Sequence, residues 1–307
     1  MMNRPITLLG AASSIGIRPY EDGTIRQLDR APKVLRELGL SDRVAACDLG
    51  DVTPPPYRDV IRPAGRARNE SEIATYSRAL ATRVADATAD GSFSLVLGGD
   101  CSIVLGCLLG VGSGEADERP LGLIYIDAHS DFATPEESQT GSAASMCLAL
   151  AVGRGDSPLA VLRGDKPLVR PEHVALLGRR DQVEVGAYGQ AALGPAGILD
   201  IPHAALRENG MGAAAKAAIA RVASSASAGF WIHLDADVID PSEMGAVDSP
   251  EPDGLRCEEL AELLAPLLRD QRARGLEVTI YDPALDPTRR DAATLVALLS
   301  AVLGNKS

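Results

Sequence analysis

Aromatic side chains are scarce: one Trp, six Tyr and three Phe make up 3% of the 307 residues. The core must therefore be aliphatic, and a single-strand nucleic-acid binder, which stacks bases on aromatic platforms, is disfavoured. Positive charge is also short, with 30 Lys and Arg against 42 Asp and Glu and a net charge of −12. A polyanionic partner would need a local basic patch against that field. The two Arg-rich stretches, Arg62–Arg68 and Arg269–Arg274, are broken up by other residues. The five cysteines (47, 101, 107, 147 and 257) include no CxxC pair, so neither a zinc knuckle nor a dithiol redox motif is indicated. Their odd number and irregular spacing fit a reducing compartment. No charge-free run of about 18 apolar residues exists, and the nearest, Leu95–Val111, carries Asp100. Met1–Gly16 makes a poor secretory leader, because its short apolar stretch reaches Gly and Ser at once. The expectations are a cytoplasmic protein with no nucleic-acid partner and no membrane partner. Nucleotide motifs are missing as well: there is no GxxxxGK, and Gly110-Val-Gly-Ser-Gly114 follows a helix pattern rather than a strand.

What is present is ordinary globular composition, 46% hydrophobic and 23% charged. Short apolar runs recur at Ile6–Leu9, Val44–Cys47, Leu95–Leu97, Leu121–Ile126, His173–Leu177, Gly197–Ile201, Phe230–Leu234 and Leu276–Tyr281. Runs without polar alternation are the mark of strands buried on both faces, as in a parallel sheet. Helical patterns lie between several of them: Glu70–Ala89 with Asn69 as N-cap, Ser102–Leu109, Met211–Ser224, Arg256–Arg274 and Asp291–Val302. Strand–helix alternation implies an α/β fold of three layers. No repeat or linker divides the chain, which reads as a single domain over 1–307.

Two clusters carry the chemistry. Leu-Ile-Tyr-Ile runs into Asp127-Ala-His129-Ser-Asp131, and Trp-Ile-His-Leu runs into Asp235-Ala-Asp237-Val-Ile-Asp240-Pro. In extended chain, residues two apart point the same way. Asp127, His129 and Asp131 can therefore converge from one strand end, and Asp235 with Asp237 from the other. Such a crowd of carboxylates repels itself unless cations neutralise it. Carboxylates with one imidazole suit hard divalent ions such as Mn²⁺ or Mg²⁺, and there are enough donors for two ions with a bridging carboxylate. The bland alternative is that these carboxylates cap turns and helices. His233 shares parity with Asp235 but lies one step deeper, where a core or supporting role is expected rather than ligation.

A third strand end, Gly98-Gly99-Asp100-Cys101-Ser102, completes a pattern. Gly-Gly-Asp-x-Ser, Asp-Ala-His-x-Asp and Asp-x-Asp-x-x-Asp-Pro, in this order, resemble the ureohydrolases: arginase, agmatinase and formimidoylglutamase. Gly10–Gly16, Thr134-Pro135 and Asp248–Leu255 are similar too, so the likeness runs nearly end to end. The resemblance implies a three-layer α/β/α sandwich around an eight-stranded, mainly parallel sheet. It also implies two Mn²⁺ per chain, with a metal-bridged hydroxide that attacks the carbon of a guanidino or amidine group. By the same resemblance Asp127 and Asp235 bridge, Asp131 completes one metal, and His129 with Asp237 completes the other. Asp131 is then also the catalytic residue that passes a proton to the leaving amine.

The departures from the family are equally specific. Cys101 stands where the family has a histidine ligand. It is expected either to bind metal as a softer thiolate, admitting other divalent metals, or to leave its side weakly occupied; a buried thiol without a metal role is the alternative. Ala144, Ala133, Val183 and Ile280 fall where the family handles substrate with His, Asn, Asp and Glu. Plain arginase activity is therefore not expected. Thr140, Ser142, Glu184 and Ser249 are the remaining substrate-binding candidates. The substrate class is a small guanidino, hydroxyguanidino or amidine compound, the hydroxyguanidino case because a family variant that also has Cys at this place acts on Nω-hydroxy-L-arginine. The competing reading is a catalytically weak or inactive homologue with a regulatory or assembly role. The resemblance further implies a homo-oligomer, a trimer or hexamer.

Overall fold

Aliphatic runs without polar interruption build the centre of the molecule. The computed structural model describes residues 4–58, 62–112, 120–181, 193–223 and 228–304. Eight strands form one sheet: β1 (Ile6–Ala11), β2 (Ala46–Val52), β3 (Phe93–Leu97), β4 (Gly122–Ile126), β5 (Val174–Leu177), β6 (Leu199–Ile201), β7 (Phe230–Asp235) and β8 (Ala273–Thr279). They lie in the order β2-β1-β3-β8-β7-β4-β5-β6, and every pairing is parallel. β3, β4, β5 and β7 are buried along their whole length, whereas the edge strands β2 and β6 are largely not. This is the burial that both-face coverage by helices requires.

Helices α1 (Ala31–Glu37), α2 (Leu40–Arg43), α3 (Glu70–Thr88), α4 (Ile103–Val111) and α5 (Cys147–Ala151) precede β5; α6 (His203–Asn209), α7 (Met211–Val222), α8 (Cys257–Arg269) and α9 (Arg290–Leu303) follow β6. α3, α4 and α5 pack side by side, and α7, α8, α9 and α1 form a second packed set. The architecture is the expected α/β/α sandwich. No helix among the described residues is long and apolar enough to cross a membrane.

Several boundaries differ from expectation. The second strand begins at Ala46 rather than Val44, because Val44 closes α2 and Ala45 turns the chain at a positive φ of 51°. The helix expected to reach Arg274 stops at Arg269, after which Asp270 is extended and Ala273 joins β8. Asn69 occupies the N-cap position of α3 but does not cap it. Its φ is 47°, and its side chain instead donates to Ile15 O at 2.9 Å and accepts from Arg58 N at 3.3 Å.

In this all-parallel sheet the C-terminal ends of the central strands β3, β8, β7 and β4 open on one edge, the edge where such folds hold ligands.

Candidate metal centre

Register sets the first contacts. Ile126 of β4 pairs with Leu234 of β7, so Asp127 and Asp235 leave adjacent strands side by side. The two aspartates then make the same local turn. Asp127 Oδ1 accepts from His129 N at 2.6 Å, and Asp235 Oδ1 accepts from Asp237 N at 2.9 Å. An aspartate that accepts the N–H two residues on bends the chain, and here the bend sets each following donor beside the first. His129 Nδ1 lies 2.9 Å from Asp237 Oδ2 and 3.6 Å from Asp127 Oδ1.

The Gly-Gly turn delivers Cys101. A Cβ on Gly99 would fall 1.8 Å from Ser13 O, so only glycine allows the approach of the first loop. Fully buried Asp100 fastens the turn by accepting from Gly16 N at 3.0 Å, Ser13 Oγ at 3.2 Å and Ser102 N at 3.0 Å. Cys101 Sγ then donates to Asp235 Oδ2 at 2.9 Å.

Two groups of donor atoms result, each within 4.8 Å of one another: Cys101, Asp127, His233 and Asp235, and Asp127, His129 and Asp237. Asp127 belongs to both. Five of the six expected ligands are thus brought together. Asp131 is in neither group; its φ is 45° and its Oδ2 accepts from the Tyr125 hydroxyl at 2.6 Å. His233, expected to serve the core, enters in its stead. Its presence in an otherwise apolar run, and that of Glu277 inside the buried part of β8, was the available signal, since fully buried polar side chains demand partners.

The electrostatics match the crowding. Burial, and then Asp237 and Asp131, push the Asp127 carboxyl well up; burial, Asp237 and Asp127 do the same to Asp235. Burial, followed by the Asp235 charge, raises the Cys101 thiol. Burial also dominates at Asp131, raised to about 6 despite the Tyr125 hydrogen bond. Burial opposes charge on His129, but Asp237 and Asp127 outweigh it and hold that imidazole well above its usual range. Two buried acceptors, Asp127 Oδ2 and His233 Nε2, have no hydrogen-bond partner. Orphan acceptors among carboxylates, imidazole and thiol fit a divalent cation.

Above the cluster opens a cavity of about 520 Å³, lined among others by Cys101, His129, Asp131, Asp235 and Asp237. Thr140, Ser142 and Ser249 line it too. Their hydroxyls are engaged: Thr140 Oγ1 accepts from Ser142 N at 3.2 Å, Ser142 Oγ accepts from Arg18 N at 3.0 Å, and Ser249 Oγ donates to Asp248 at 3.3 Å. Glu184 lies outside the described residues, as does Val183. Ala133, Ala144 and Ile280 form apolar wall. Ile280 holds a φ of 69°, an outlier for a β-branched residue.

The sequence profile of the arginase family matches residues 22–304. The chain belongs to the arginase family. It is 32% identical to the arginase of Bacillus caldovelox over 99% of both chains. The native structure of that arginase superposes with a TM-score of 0.84 at 30% identity, again over 99% of each chain. Formimidoylglutamase from Bacillus subtilis subsp. subtilis str. 168 shares the fold, with a TM-score of 0.71 at 18% identity over 98% of this chain and 86% of its own. This family member keeps the strand-end aspartates of the ureohydrolase pattern and carries Cys101, Ala144 and Ile280 beside them.

Proposed function

We propose that this arginase-family protein is a divalent-metal-dependent hydrolase that cleaves a linear C–N bond in a guanidino, hydroxyguanidino or amidine compound. The observation that carries the reading is the sharing of Asp127 by two donor groups whose members Cys101, His129, Asp235 and Asp237 line the cavity. Cys101 and Asp235 would serve an inner ion, His129 with Asp237 an outer one, and Asp127 both. Mn²⁺ is the family expectation; the thiol also admits softer divalent ions. Ions held there supply Lewis-acid charge and make water a nucleophile near neutral pH.

The chain's own residues do the rest. Asp131 stands on the cavity wall, oriented by the Tyr125 hydroxyl, where it can hand a proton to the departing amine. Thr140, Ser142 and Ser249 offer short polar contacts to the substrate body. Glu137, Asp181, Asp248 and Glu251 stand on the wall against Arg18 and Arg26, an acidic balance that favours a cationic substrate. Arginine itself fits poorly, because Ile280, Ala144 and Ala133 supply neither a carboxylate for a guanidinium nor hydrogen bonds for an amino acid end. A small substrate, a cytoplasmic setting and a homo-oligomer complete the proposal. The apolar wall also supports a second reading, a catalytically weak homologue with a regulatory or assembly role.

The test is metal analysis of the purified chain, followed by assays on guanidino, hydroxyguanidino and amidine compounds with Mn²⁺ and Zn²⁺ reconstitution. Turnover that a chelator removes supports the hydrolase. Metal bound without turnover on any class supports the second reading, and absence of bound metal sinks the first.

A further inference from the structure

Three residues in register form a row beneath the strand-end aspartates. Tyr125 of β4 pairs with His233 of β7, and His233 pairs with Glu277 of β8. All three are fully buried. The row fixes the imidazole in position and in tautomer. The Tyr125 ring stacks on it at 3.9 Å and 14°, which prevents rotation. Glu277 Oε1 lies 2.7 Å from His233 Nδ1, and Glu277 Oε2 accepts from Trp231 Nε1 at 2.9 Å. A proton on Nε2 would find no acceptor within hydrogen-bond distance, since Asp127 Oδ2 is 3.9 Å away. The proton therefore belongs on Nδ1, and the Nε2 lone pair faces the Asp127 oxygen, which is itself without a partner.

A histidine kept only for packing would have both nitrogens satisfied at this depth. Here one nitrogen is gripped by a carboxylate and the other is aimed into a set of donor atoms. That is the arrangement of a ligating imidazole, whose second N–H is held by a carboxylate that orients the ring and raises its basicity. The hydroxyl of the stacked Tyr125 also donates to Asp131 Oδ2 at 2.6 Å, so one residue positions both His233 and Asp131.

We infer that His233 Nε2 is a ligand of the inner metal position, which becomes a Cys101–Asp127–His233–Asp235 site selecting zinc-class ions over manganese. The inference rests on the metal-dependent reading above and deepens it. Thiolate and imidazole together suit Zn²⁺, whereas a set of carboxylates suits Mn²⁺. Glu277 is the positioning residue. Trp231, the sole tryptophan, touches that residue and reports on it.

The test uses the full chain, stripped of metal and titrated with Zn²⁺ or Mn²⁺. His233→Asn keeps an N–H towards Glu277 and removes Nε2. It should weaken the tighter Zn²⁺ step at least 100-fold and erase the preference for Zn²⁺ over Mn²⁺. Glu277→Gln should weaken that step about 10–100-fold. Zn²⁺ added to the wild type should shift the tryptophan emission. Zinc-edge X-ray absorption of the wild type needs no variant: two imidazoles and one sulfur per two zinc ions are expected, from His129, His233 and Cys101. A single imidazole overturns the inference and leaves the hydrolase standing, as does a folded His233→Asn with wild-type affinities. A wild type that binds neither ion overturns both.

Discussion

At position 101 a single atom type would decide which ion the inner site prefers. The sulfur sits 2.9 Å from Asp235 Oδ2 and 3.7 Å from Thr279 Oγ1, so it faces the donor group rather than the helix behind it. Cys101→His exchanges a soft donor for an imidazole and should raise affinity for Mn²⁺ relative to Zn²⁺. A competition titration reads this directly, and an unchanged ratio would mean that residue 101 does not meet the ion. The aspartates of this site are legible in the sequence because their spacing at two strand ends is local. Asp131 looks equivalent to its neighbours by that same spacing, and its positive φ and the Tyr125 hydroxyl it accepts, six residues back, distinguish it. The row of Tyr125, His233 and Glu277 is not legible, because its members lie on three strands and only the sheet register joins them. Trp231 fits beneath the row through a glycine: a Cβ on Gly275 would fall 2.3 Å from the indole.

At the scale of elements, the sequence reveals strands by unbroken apolar runs and so locates all eight, while it misjudges ends that depend on a turn. The edge strand β2 is the least buried of the long strands. An edge needs protection against pairing with other chains, and Arg36 of α1 supplies it. Its guanidinium holds Asp48 at 2.7 Å and Asp51 at 2.5 Å. Burial alone would push the Asp48 carboxyl up, but the Arg36 hydrogen bonds, helped by Gly50 N–H, outweigh it and hold the group below its ordinary value. A carboxyl lowered in the folded state contributes stability above its unfolded pKa of about 3.9, and that stability is lost as pH falls through the lowered value. Arg36→Ala should therefore cost about 0.2–1 kcal/mol per pair at neutral pH and low salt. Urea unfolding at pH 7 and near pH 3 checks this: the gap between variant and wild type should close in acid, and a gap that persists there would assign the effect to lost packing.

For the whole molecule, the acidic excess and the metal cluster act together. A net charge of −12 repels like copies. The large exposed hydrophobics among the described residues, Ile25, Val161 and Leu285, are few. A trimer or hexamer would therefore use a largely polar interface, and its dissociation should respond to salt. Light scattering at micromolar concentration checks the state, and a monomer would refute the assembly. The cluster should matter more for stability. Its donors come from the ends of β3, β4 and β7, so ions bound there would tie together loops from three central strands. They would also offset the burial and the mutual repulsion that raise the Asp127 and Asp235 carboxyls. The unfolded chain, with those side chains far apart, offers no comparable site. Ions at 100 times their dissociation constant then stabilise the fold by about 2.7 kcal/mol for each independent site. At roughly 2–4 °C per kcal/mol, that amounts to about 5 °C or more in the melting temperature. Thermal unfolding after chelation, and again after Zn²⁺ or Mn²⁺ is restored, measures the shift. Sodium chloride at equal ionic strength is the control, because screening acts on the surface charge and leaves the buried aspartates paired with nothing. A melting temperature that ignores divalent ions, or follows sodium equally well, would show that the aspartates hold no cation.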